Sequence, residues 1–102
     1  MAIEIQEKNG KIHVSIAGRL DTVSSHEFEK QIKPLTEIPQ PDIAIDCSNF
    51  DYISSSGLRQ FLILQKAVIA NKGTLVINNL KPEIKEVFDM TGFTSIFTIN
   101  PE

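Results

Sequence analysis

Two short runs of alternating apolar and polar residues open the chain: Ile3 and Ile5, then Ile12, Val14 and Ile16 interleaved with His13 and Ser15. Period two is the period of a strand, and Asn9-Gly10 between the runs tolerates positive φ, so the pattern predicts a β-hairpin around a type I′ turn. Gly18, Arg19, Leu20 and Asp21 end the second strand. The period then changes. Ser24 with Glu27 three residues later forms a capping-box signature ahead of a helix that buries Phe28, Ile32 and Leu35, which Pro34 ends or kinks.

Pro39-Gln40-Pro41 is a connector, and Ile43, Ala44 and Ile45 behind it form an apolar run too brief for a helix and suited to a central, parallel strand. From Gly57 to Ala70, Leu58, Phe61, Leu62, Leu64, Val68 and Ile69 recur at helical spacing, with Gly73 placed as a left-handed cap. Thr74 to Ile77 reads as a fourth strand. Pro82 suits a first helical turn ahead of Ile84, Val87, Phe88 and Thr91, Gly92 caps that helix, and Ser95 to Ile99 adds a last short strand. The predicted fold is α/β: a mixed, mostly parallel sheet of four to five strands with an N-terminal hairpin and three or more packed helices, in one domain over residues 1–102. Right-handed crossovers put the carboxyl ends of the parallel strands on one edge, where open α/β sheets meet ligands and partners. The segments expected there are Asp21 to Ser25, Asp46 to Ser56 and Asn78 to Lys81.

Composition narrows the function classes. An apolar share of 41% and a charged share of 23% are those of a folded globular domain. A formal charge of -3 argues against direct binding of nucleic acid, which needs a basic surface. The N-terminus lacks the pattern of a signal peptide and no apolar run is long enough to span a bilayer, so a cytoplasmic location without membrane contact is expected. One cysteine, Cys47, and two distant histidines lack the spacing of a metal site, and Cys47 reads as a small buried hydrophobe. Neither a cofactor nor a metal is expected.

The segment with chemical content is Asp51-Tyr52-Ile53-Ser54-Ser55-Ser56-Gly57-Leu58, which leads into the long central helix. Serine is a preferred N-cap, so one of the three hydroxyls has a structural use. A hydroxyl left exposed at that helix start is accessible to a kinase, and a phosphate there sits where the helix dipole favours negative charge. Such a modification adds about -2 charge to a surface without unfolding the domain.

Ile53-Ser54-Ser55-Ser56-Gly57-Leu58 resembles the aspartate-Ser-Ser-Gly-Leu phosphorylation motif of the STAS-domain anti-sigma-factor antagonists. Gly18-Arg19-Leu20-Asp21 resembles the family's Gly-x-Leu-Asp, and Phe88-Asp89-Met90-Thr91-Gly92-Phe93 its Phe-Asp-x-(Ser/Thr)-Gly run; the three stand in the family's order and the likeness covers nearly the whole chain. The resemblance implies the STAS fold and puts the phosphoacceptor on Ser55. Ser54 stands where many members carry aspartate, as in a subgroup reading Ile-Ser-Ser-Ala-Gly-Leu-Arg, which leaves Asp46 and Asp51 as carboxylates that would compensate. By resemblance, the unphosphorylated chain binds an anti-sigma factor that is itself an ATP-using serine kinase and thereby frees a sigma factor. Phosphorylation ends the contact and a serine phosphatase restores it. The chain would then be no enzyme, with Asp21, Thr22, Ser54, Ser56, Gly57, Arg59 and Gln60 around Ser55 as its partner-binding face. Asp21 is expected there to serve affinity rather than stability.

Two rivals stand beside that reading. A serine hydrolase built from Ser55, His26 and Asp21 or Asp46 lacks the first glycine of a nucleophile elbow, since Ile53 stands two positions before Ser55. The second rival shares the fold: an unphosphorylated STAS scaffold in a lipid-transport or other regulatory complex.

Overall fold

The computed structural model describes residues 1–100, so the last two residues of the expected 1–102 domain lie outside the described residues. Five strands, β1 Ala2–Lys8, β2 Lys11–Leu20, β3 Asp42–Ile53, β4 Thr74–Asn78 and β5 Thr98–Ile99, form one sheet in sequence order. The hairpin forms as the alternation predicts: β1 and β2 pair antiparallel, and Asn9 and Gly10 both take positive φ, at 55° and 80°. The remaining neighbours are parallel, joined through the helices α1 Ser24–Ile32, α2 Ser55–Ala70 and α3 Pro82–Met90. All crossovers step the same way along the sheet, which puts the three helices on one face.

That face holds the core. Ile12, Val14 and Ile16 of β2 and Ile43, Ile45 and Cys47 of β3 are buried on alternate positions. Phe61 of α2 sits at the centre, stacked on Phe28 and Phe50 at centroid distances of 5.6 and 6.0 Å and edge-on to Phe88 at 5.8 Å. These contacts lock α1, β3 and α3 to the start of α2, so the positions of the helix starts are set by aromatic packing rather than by loops.

Several expectations change in detail. β3 runs well beyond Ile45, because two irregularities break its period: Ser15 pairs with Asp46 but Ala17 with Asn49, and Gly18 with Phe50 but Arg19 with Tyr52. Each extra residue re-aims the strand so that Phe50 and Ile53 return to the core. The segment from Asp46 to Ile53 is therefore strand, not an edge loop. Ile69 is 60% exposed, outside the apolar stripe that buries Leu58, Phe61, Leu64 and Val68.

Gly73 is not the left-handed cap of α2. Lys72 takes that conformation at φ 61°, while the Gly73 N–H reaches back to the Val68 carbonyl at 2.8 Å. The glycine is needed because a Cβ there would collide with the Pro41 carbonyl and ring. Gly92 does adopt the left-handed cap expected of it, at φ 78°, with Thr91 exposed beside it. Ser95 belongs to a 3-10 turn over Phe93–Ser95, and the last strand is limited to Thr98–Ile99.

Candidate functional site at the starts of two helices

Among the three serines that open α2, Ser54 is the cap. Its backbone is extended, at φ -88° and ψ 171°, and its Oγ accepts the Gly57 N–H at 3.1 Å. The Ser54 N–H donates to the Leu20 carbonyl at 2.8 Å, tying the end of β3 to the end of β2. Gly57 is buried against that junction: a Cβ would lie 2.6 Å from Leu20 Cγ and 3.0 Å from its carbonyl oxygen. A glycine thus lets the first turn of α2 press onto the end of β2. Ser55, the first helical residue, is exposed and Ser56 half-buried, and neither hydroxyl has a hydrogen-bond partner among the described residues.

The start of α1 is built differently. A capping box exists, but one turn earlier than the sequence predicts. The Asp21 carboxylate accepts the Ser24 N–H at 2.9 Å, and the Ser24 Oγ accepts the Asp21 N–H at 2.9 Å. Glu27 instead accepts from Gln31 on the helix surface. Ser25 is buried and donates to the Thr22 carbonyl at 2.9 Å. The Ser24 N–H, then the Ser24 hydroxyl, hold the Asp21 carboxyl below its usual range. Asp21 therefore serves stability as well as any partner.

Between the two helix starts lies an open cavity of about 490 Å³. Thr22, Ser25, His26 and Glu29 line it from the first helix and its approach. Facing them are Ser55, Ser56, Arg59 and Gln60. Thr22, Ser55, Ser56, Arg59 and Gln60 are thus brought together, while the half-buried Asp21 and Ser54 act as caps and the buried Gly57 as a spacer. Sequence reasoning placed Ser25 at this edge without giving it a role, missed Glu29, and weighed His26 only as a catalytic base. The signal was there, since Thr22, His26 and Glu29 follow one helical stripe at i, i+4 and i+7. It also missed Val23, which is 82% exposed beside the cavity in an otherwise polar run.

Both carboxylates expected to compensate for the family aspartate are engaged elsewhere. Asp46 accepts from Asn79 at 2.9 Å and from Ser48, and these bonds, that of Asn79 foremost, hold it below its usual range. Asp51 pairs with Lys81 at the start of α3. No acid orients His26 toward Ser55 among the described residues, because Asp21 is occupied by Ser24, so a hydrolytic triad is not assembled. Burial, then the charge of Asp46, pushes the Cys47 thiol up to about 12, which leaves it inert. No group of three or more His, Cys, Asp or Glu able to hold a metal occurs among the described residues. No helix among them is long and apolar enough to cross a membrane.

Parallel strands feeding helices whose starts share one edge, with hydroxyls presented there, define a small α/β domain with its polar surface gathered at that edge. Its relatives make the class specific. The STAS domain profile matches residues 2–102. The anti-sigma-B factor antagonist of Bacillus subtilis is 30% identical over 96% of this chain and 89% of its own length. Solved structures share the fold. An anti-sigma factor antagonist from Mycobacterium paratuberculosis superposes with a TM-score of 0.86 at 21% identity, over 99% of this chain and 86% of the other. SpoIIAA from Bacillus, solved in its phosphorylated form, superposes with a TM-score of 0.73 at 17% identity, over 99% and 93%. This chain belongs to the STAS-domain family, among the anti-sigma factor antagonists. Anti-sigma factor antagonists are non-enzymatic STAS proteins.

Proposed function

We propose that this chain, as one domain in the cytoplasm, is a phosphorylation-controlled switch. Its unphosphorylated form binds an anti-sigma factor that is also a serine kinase, and so releases a sigma factor. The observation that carries the reading is the division of labour among the three serines: Ser54 caps α2, and Ser55 is left exposed and unbonded in the first turn. The phosphorylated SpoIIAA structure and the family membership support it.

In the modifying step, the Ser55 Oγ attacks the γ-phosphorus of an ATP held by the kinase. The Oγ–P bond forms, the bond to the bridging oxygen breaks, ADP leaves, and the hydroxyl proton passes to a base on the kinase. A metal-dependent serine phosphatase reverses the state by hydrolysis. Thr22, Ser56, Arg59 and Gln60 form the surrounding contact surface, with Asp21, Ser54 and Gly57 fixing its shape. A partner lying over this face covers a neutral hydroxyl in one state and about -2 charge in the other.

Incubation with the histidine-kinase-like ATPases and serine kinases of the source organism, read by intact mass, tests the proposal. One phosphate on the parent and none on Ser55→Ala is expected. Absence of modification at Ser55 with every such kinase overturns the switch and favours a scaffold.

A further inference from the structure

The cavity beside Ser55 has a feature that a flat docking surface would not need: it carries cationic or protonatable groups on both walls. Arg59 projects from α2 one turn beyond Ser55, and His26 lines the facing wall on α1. Arg59 makes no ion pair among the described residues. Polar groups thus converge on a space that nothing in the described chain fills. Residues i and i+4 share a helix face, so a group built outward from Ser55 Oγ meets the Arg59 side chain on the same face, at the mouth of this cavity.

We propose that the cavity is an intramolecular receptor for the phosphoryl group on Ser55, in which Arg59 and His26 clamp the phosphate between α2 and α1. The proposal rests on the switch reading above and adds how the modified state is held. A guanidinium offers two parallel N–H donors to phosphate oxygens, and a ring N–H of His26 adds one from the opposite wall. Glu29 lines the same cavity and opposes the clamp; Asp21 lies near it but is turned to Ser24. The free N–H groups of the first turn of α2 favour the anion as well, without bridging to α1. The clamped phosphate would fill the groove and neutralise Arg59. Phosphorylation would then withdraw a cationic contact from the partner in addition to placing a charge on the surface.

The test uses the full chain with phosphoserine incorporated at position 55 during translation, so that no kinase is involved, and follows the phosphorus resonance through a pH titration. The second ionisation of an unstructured phosphoserine lies at about 6. In the folded chain the midpoint is expected to fall by about half a unit to one unit. Arg59→Gln and His26→Gln should each return part of that shift, Arg59→Lys should keep most of it, and Glu29→Gln should enlarge it. Lys11→Gln, at the far end of the sheet, should leave it unchanged. A midpoint equal to that of the peptide overturns the clamp. So does a lowered midpoint that Arg59→Gln and His26→Gln both leave in place, which would assign the effect to the helix start alone. Either failure leaves the switch itself standing, because that depends on whether a kinase marks Ser55.

Discussion

The starts of α1 and α2 are chemically alike and behave oppositely. Each presents serines in its first turn at the same sheet edge, and each ends in a helix pinned by a phenylalanine in the common aromatic cluster. At α1 both serine hydroxyls are taken: Ser24 bonds Asp21 and the Arg19 carbonyl, and Ser25 is buried on the Thr22 carbonyl. At α2 only Ser54 is taken, and Ser55 and Ser56 face the cavity without partners. A hydroxyl that already donates to a carbonyl must break that bond before it can be modified. The serines of α1 thus secure a helix, and those after Ser54 remain available to another protein.

Substituting charge separates the two starts most strongly. Ser55→Glu should lower affinity for the anti-sigma factor by roughly 30-fold to several thousandfold, the effect of leaving a charge of about 2–5 kcal/mol uncompensated in an interface. Titration calorimetry against the parent measures it, and equal affinities would remove the charge from the mechanism. Gly57→Ala comes next, because the added methyl must displace Leu20 at the junction of β2 and α2. A loss of about 1–3 kcal/mol in urea unfolding is expected. A neutral result would mean that the two elements are not pressed together.

Smaller effects sharpen the contrast within one helix. Ser54→Ala removes the cap and should cost about 1 kcal/mol, while Ser55→Ala should stay within about 0.5 kcal/mol of the parent in the same unfolding series. Equal costs would undo the division of labour. The smallest effect is a pH dependence at α1. The Asp21 carboxyl is held below its unfolded value of 3.8, chiefly by the Ser24 N–H, so its contribution is complete above that value and is lost as pH falls through the lower folded value. Asp21→Ala should therefore be less stable than the parent near neutrality and converge with it in strong acid. Parallel stability curves across that range would show that the box does not depend on the charge.

Much of this was legible from period and turn chemistry. The hairpin, the strand and helix order and the left-handed Gly92 follow from local rules that act within a few residues. The serine run was legible as a helix start for the same reason. What escaped depended on contacts far apart in sequence. Cys47 to Ile53 lack a simple strand period because their register answers to bulges against β2. Gly73 looks like a cap in isolation, yet its requirement comes from Pro41 on a distant connector. The capping box of α1 shifted because Asp21 and Ser24 make the same reciprocal pair of bonds with acid and hydroxyl exchanged, an order that the Ser/Thr-x-x-Glu/Gln signature does not flag.

By itself the sequence determined the architecture and the three serines at the head of α2, since alternation, helical spacing and caps are properties of neighbouring residues. Which serine became the cap, which stayed free, and that His26 and Glu29 face Arg59 across one cavity were decided only by tertiary structure. The reason is geometric. The aromatic cluster sets where the two helix starts stand relative to each other, and nothing in either segment alone encodes that distance.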